Sequence, residues 1–85
     1  MAMKYVMLKL EGGELLPLLF PEFMQHAHMA QSVPATVVSA GRVYLEKGKI
    51  IAKGASSSLN VASREEDSRI IQGYFERQNV IQQEV

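Results

Sequence analysis

Three groups of residues have the types that chemistry uses. The first is the run Gly54–Asp67, "GASSSLNVASREED", with a glycine, four serines, an arginine and a tight acidic cluster. It could cradle a phosphate at a helix N-terminus, or carry a serine nucleophile. Against the phosphate, Glu65, Glu66 and Asp67 fall in the first helical turn, where each favours the helix dipole by roughly 0.3–1 kcal/mol and repels an incoming anion. The spacing G-x-x-x-x-G-K-[ST] of a phosphate loop is also missing. Against the nucleophile, the second glycine of G-x-S-x-G is absent and no helix follows at once. The run therefore reads as a turn entering a helix. Ser63 and Glu66 have the spacing of a capping box, Glu65 and Arg69 that of a helix-face ion pair, and the acids are expected to fan outward.

The second group is His26-Ala27-His28. On a helix two histidines at i, i+2 point about 200° apart and cannot hold one ion. Glu22 and His26 at i, i+4 supply two donors where a zinc site needs three or four. No metal and no cofactor is expected, and no small-molecule ligand is identifiable.

The third group is Arg42, Tyr44, Lys47, Lys49 and Lys53, on two short β-patterned runs joined by "EKGK". Cations interleaved with an aromatic ring suit single-stranded nucleic acid, through phosphate contacts and base stacking. Nine basic residues balance nine acidic ones, so there is no long-range pull toward a polyanion. The plainer reading is a solvated hairpin whose lysines keep a sheet edge from aggregating.

The span Ser39–Ile71 resembles a family of small uncharacterised bacterial and phage-associated proteins. The pattern is SAG, a hydrophobic strand, a glycine turn, G-x-S-x-SL and then SR-x-x-D. It is carried here by Ser39, Ala40, Gly41, Gly48, Gly54, Ser56, Ser58, Leu59, Ser63, Arg64 and Asp67. The resemblance implies a phage or prophage origin and brings no catalytic residue with it. The strand count is also similar to that of Sm-like small barrels, although their helix precedes the first strand.

The elements that must position these groups fit one domain, residues 1–85, with fraying from 79 to 85. A chain this short buries only roughly 60–65% of its unfolded surface, and with no cysteine it has no disulfide to help. The longest apolar stretch, "LLPLLFP", is far below the roughly 20 residues that span a bilayer. No membrane partner and a cytoplasmic location are expected.

"MKYVMLKL" reads as a strand whose alternating sets are both mainly apolar, hence central or set against another subunit. "EGGE" makes a hairpin turn to "LLPLLF", in which Pro17 belongs on an edge or at a bend. Pro21–Gln31 reads as a helix with Phe23, Met24, Ala27 and Ala30 on its apolar face. "ATVVSAGRVYLE" is a strand with a bulge or bend at Gly41. "EKGK" turns at Gly48, "KIIAKG" returns, and "SSLNVA" is a short fifth strand. Ile70, Ile71, Tyr74 and Phe75 form the stripe of a C-terminal helix.

The fold class is α+β: a small bent antiparallel sheet, or a five-stranded Sm-like barrel, with one inserted helix and one capped C-terminal helix. Met3, Tyr5, Met7, Leu15, Leu16, Leu18, Leu19 and Phe20 exceed what a thin core covers and predict a homo-oligomer interface. The favoured function is a non-catalytic, self-associating structural or regulatory protein. The alternative is an oligomeric nucleic-acid binder using the Arg42–Lys53 hairpin. A second alternative is a small hydrolase or metal-dependent enzyme around the histidines.

Overall fold

The computed structural model describes residues 3–31 and 33–84, with side chains as far as residue 77. Its elements are β1 (Met3–Lys9), β2 (Leu15–Phe20), α1 (His26–Ala30), β3 (Thr36–Glu46), β4 (Lys49–Lys53), β5 (Ala55–Ser56), β6 (Val61–Ala62) and α2 (Asp67–Glu84). The fold is α+β. Four antiparallel strands form a sheet in the order β2-β1-β3-β4, and β5 pairs with β6 in a separate two-stranded piece. The sheet is not closed: β2 and β4 are its two edges, which corrects the barrel alternative. The run expected as a fifth strand, Ser57–Ala62, instead supplies a tight loop and β6, which pairs back onto β5 just before it.

β1 lies in the middle and is covered on both sides, which explains its doubly apolar pattern. Tyr5, Val6, Met7 and Leu8 are all 0% exposed. On one face Tyr5 and Met7 pack with Val43 and with Ile70 and Ile71 of α2; on the other Val6, Leu8 and Phe20 pack with Ala40, Met24, Leu59 and Val61. At about 25 cal/mol per Å² of apolar area, each such side chain contributes roughly 1.5–3 kcal/mol. The excess grease is thus divided between two thin cores within one chain. Tyr5, Met7 and Phe20, named above for a contact between copies, are enclosed here and have no surface to offer. Met3, Leu15, Leu16, Leu18 and Leu19 are half-buried.

Both sheet edges are blunted. Pro17 sits opposite Met7 and has no amide proton to donate, so this is a non-hydrogen-bonded pair and the outward edge of β2 lacks its middle donor. Along β4, α2 satisfies the outward amides: Ile50 N–H donates to Gln72 Oε1 (3.2 Å) and Ala52 N–H to Ser68 Oγ (2.8 Å). Such devices suppress strand addition from another chain.

Several local expectations shift. The inserted helix is only His26–Ala30, because Pro21–Gln25 is spent in a turn (Met24 N–H to Pro21 O, 3.1 Å). Phe23 consequently leaves the apolar face and is 85% exposed. The β-bulge lies between Met7 and Leu8 and opposite Val37–Ser39, not at Gly41. Gly41 serves close approach instead, since a Cβ there would meet Lys53 O at 2.6 Å and Tyr5 Cε1 at 3.3 Å. The β3–β4 turn has Lys47 and Gly48 at φ 51° and 79°, a pair of left-handed residues that matches strand twist. α2 carries the expected stripe at Ile70 and Ile71, whereas Phe75 is 40% exposed. The fraying expected from residue 79 concerns positions whose side chains lie outside those described. Among the described residues, no helix is long and apolar enough to cross a membrane.

Candidate functional site

The residues best placed for chemistry lie on the α1 side of the sheet. Side chains alternate between faces along a strand, so Lys4, Val6 and Leu8 of β1 share a face with Ala40, Arg42, Tyr44 and Glu46 of β3. The register pairs Lys4 with Arg42, and Arg42 with Lys53. Three cations therefore stand side by side across β1, β3 and β4, on strands about 4.8 Å apart. Like charges directly opposite one another are destabilising. The fold offsets this only in part. Arg42 Nε donates to Glu22 Oε1 at 3.0 Å, and Lys53 Nζ lies 3.9 Å from Glu46 Oε1. Lys4 is half-buried, and its ammonium donates to a neutral group, Met24 O, at 3.0 Å; among the described residues it has no ion pair. Lys53 also lies over the Tyr44 ring, 4.8 Å from its centroid.

Beside this row is a cleft of about 480 Å³ lined by Lys4, His26 and Arg42 and by Ser56, Ser57 and Asn60. The loop Ser57–Asn60 is built by local hydrogen bonds. Ser56 Oγ, buried, accepts from Leu59 N–H (3.2 Å) and lies 3.3 Å from Ser58 Oγ. Leu59 packs into the sheet core, and Asn60 closes the loop at φ 56°, a left-handed conformation that asparagine tolerates better than most residues. With Ala55, Val61 and Ala62 completing the lining, six of its nine residues come from the run that the sequence presented as a turn. Its serines and asparagine face cations supplied by other strands, not a helix N-terminus.

His26 is held edge-on to Phe20, with ring centroids 5.4 Å apart. Its Nε2 lies 2.9 Å from Gly41 O, so that nitrogen carries the proton and donates. His26 is buried and His28 exposed, so the two do not converge. Among the described residues no group of three histidines or carboxylates could hold a metal. His26 shares the cleft with Ser56 and Ser57, but no hydrogen bond joins it to either serine, and its Nε2 is committed to Gly41.

A second polar cluster lies on the other face, and it was invisible in the sequence. Asp67 is 0% exposed. Its Oδ2 accepts from Tyr5 Oη at 2.5 Å and from Arg64 N–H at 3.0 Å, and its Oδ1 from Arg64 Nε at 3.1 Å. The buried Ser39 hydroxyl has no hydrogen bond of regular geometry yet lies close enough to influence both ionisable groups. Burial alone would raise the Asp67 carboxyl, but hydrogen bonds from Tyr5 and Arg64, helped by the nearby Ser39 hydroxyl, outweigh it and hold the group below the usual carboxylate range. Burial, then the hydrogen bond to Asp67 and its negative charge, push the Tyr5 phenol far above its ordinary value.

This cluster also corrects the cap of α2. Ser63 N–H is taken by Gly54 O (2.9 Å) in the β5–β6 ladder, so it cannot receive the Glu66 side chain. Only half of a box is found, one residue on: the Asp67 carboxylate accepts from the Arg64 amide, while the Asp67 N–H donates to the Arg64 backbone carbonyl because an arginine side chain has no acceptor. Glu65 and Glu66 are exposed, but Asp67 points inward, and Arg64, not Arg69, forms the ion pair. The cluster anchors α2 to β1 through the Tyr5–Asp67 hydrogen bond.

Of the residues named for nucleic acid, Arg42, Tyr44 and Lys53 come together; Lys47 lies in the turn, and Lys49 faces Glu46 at the hairpin's far end. Lys4, Ser57 and Asn60 were missed. Lys4 is the one charged residue in the alternating set Lys4, Val6, Leu8 of β1, and that break in the pattern was the available signal. The chain matches no protein-family model, no curated protein and no solved structure.

Proposed function

We propose that this protein is a non-catalytic binding module for single-stranded nucleic acid, held through its phosphates. One observation carries the reading: Lys4, Arg42 and Lys53 stand abreast on one face of the sheet beside Tyr44. Their mutual repulsion is a cost that an anionic partner relieves, and Tyr44 offers a ring on which a base can stack. Glu22 and Glu46 neutralise the row incompletely, so the face stays positive although the whole chain has no net charge.

The test is fluorescence anisotropy with a labelled single-stranded oligonucleotide across a salt series. Three phosphate contacts give a slope of log K on log salt of about −2, since single strands contribute roughly −0.7 per contact. Arg42→Gln and Lys53→Gln are each expected to make that slope shallower by about 0.7. Tyr44→Ala lowers affinity without altering the slope. Absence of binding at low salt, or binding indifferent to salt, refutes the reading.

A further inference from the structure

We propose that the cleft beside the cationic row is a pocket for a phosphate monoester, the terminal phosphate of the bound strand. This rests on the nucleic-acid reading above and adds an end preference that the open face cannot provide. The site has the size for one such group and its nucleoside: about 480 Å³, within the range of small-ligand pockets.

The polar part of the lining is of one chemical kind. Lys4 and Arg42 supply the cations and Ser57 and Asn60 hydroxyl and amide groups from the loop, while Ala55, Val61 and Ala62 make the apolar remainder and His26 keeps its Nε2–H on Gly41 O. No carboxylate lines the cleft; Glu22, which holds Arg42, lies outside its lining. A monoester carries a charge of roughly −1.5 to −2 at neutral pH, with three strong acceptor oxygens. A diester within the strand carries one charge. Concentrated donors with no competing acid therefore favour the strand's end over its middle.

Lys4 gives the sharpest indication. An ammonium has three donors, and this one is half-buried with one of them given to a backbone carbonyl. Desolvating a cation is costly unless a counter-charge arrives, and the cleft is where that charge can be placed. Arg42 uses Nε on Glu22, which leaves its two terminal nitrogens for a phosphate. On the opposite wall the loop is anchored by Leu59 in the core and by Ser56 Oγ, so its donors are already in place before a ligand enters.

The experiment uses three internally labelled oligonucleotides of one sequence with 5′-phosphate, 3′-phosphate or hydroxyl ends. One phosphorylated end is expected to bind about tenfold more tightly than the hydroxyl-ended strand, which is about 1.4 kcal/mol. Asn60→Gly keeps the left-handed backbone, removes the amide and is expected to reduce that preference at least threefold while hydroxyl-ended affinity holds. A nucleoside monophosphate competes the preference away and the bare nucleoside does not. Equal affinity for all three strands overturns the pocket and leaves the cationic face standing. Failure of every strand to bind overturns both. A preference unchanged by Asn60→Gly and by the monophosphate also overturns the pocket, by placing the end elsewhere.

Discussion

Replacing Asp67 by asparagine tests whether the buried cluster holds α2 to the sheet. The carboxylate is 0% exposed and receives hydrogen bonds from the Tyr5 hydroxyl, the Arg64 amide and the Arg64 guanidinium. Asparagine fills the same space and keeps one acceptor, but it loses the charge and presents an NH₂ to at least one donor. Hydrogen bonds to charged groups contribute about 1.5–3 kcal/mol each, and breaking a buried pair costs about 3–5 kcal/mol. Arg64 is one-third exposed and can turn to solvent, so the lower end applies, about 3 kcal/mol. A domain of 85 residues has a total stability of only about 4–13 kcal/mol, so a large fraction is at stake. Urea denaturation followed by circular dichroism reads this directly. Tyr5→Phe is the companion variant: if the two groups are coupled, the double variant loses less than the sum of the singles, by about 1 kcal/mol or more.

The same cluster sets the pH response. The folded Asp67 pKa is depressed, so its stabilisation is complete above the unfolded carboxylate value near 3.9 and disappears as pH falls through the folded one. The raised Tyr5 pKa acts oppositely: its contribution is complete below about pH 10 and disappears as pH rises beyond that. Asp67→Asn should therefore flatten the acid limb of the stability profile and Tyr5→Phe the alkaline limb. A loss below 1 kcal/mol for Asp67→Asn, with an unchanged acid limb, would refute the assigned role.

Three further outcomes are expected. Gly41→Ala places a Cβ 2.6 Å from a backbone oxygen in the neighbouring strand, and should cost about 1–3 kcal/mol in urea denaturation, since β4 cannot withdraw without breaking its ladder. Glu22→Gln frees the Arg42 guanidinium from an exposed ion pair and should tighten oligonucleotide binding about two- to fivefold at low salt, as exposed pairs contribute up to about 1 kcal/mol. Pro17→Val restores an outward amide donor on β2 and should raise the apparent mass in light scattering at high concentration, because the edge regains its template; an unchanged mass would mean that Pro17 is not what protects it.

The sequence by itself was sufficient for what depends on near neighbours along the chain. Two alternating apolar sets in Met3–Leu10 marked a strand covered on both sides, because period-two alternation is a property of the backbone. Gly48 marked the hairpin turn, and the Ile70–Ile71 stripe marked α2. It also named Arg42, Tyr44 and Lys53, since a hairpin brings residues of adjacent strands together at known offsets. What it left undecided depended on which strands become neighbours. Lys4 joins Arg42 only because β1 pairs with β3, bringing together residues 38 apart in number, and Ser57 and Asn60 face them only because the β5–β6 loop folds back over that face. Asp67 looked like one of three solvent-facing acids until the Tyr5 hydroxyl arrived from the opposite end of the chain. Ser63 looked like a helix cap until the small sheet took its amide. Local pattern specifies elements; long-range pairing decides which charges meet, because electrostatic energies depend on distance in space and not on separation in sequence.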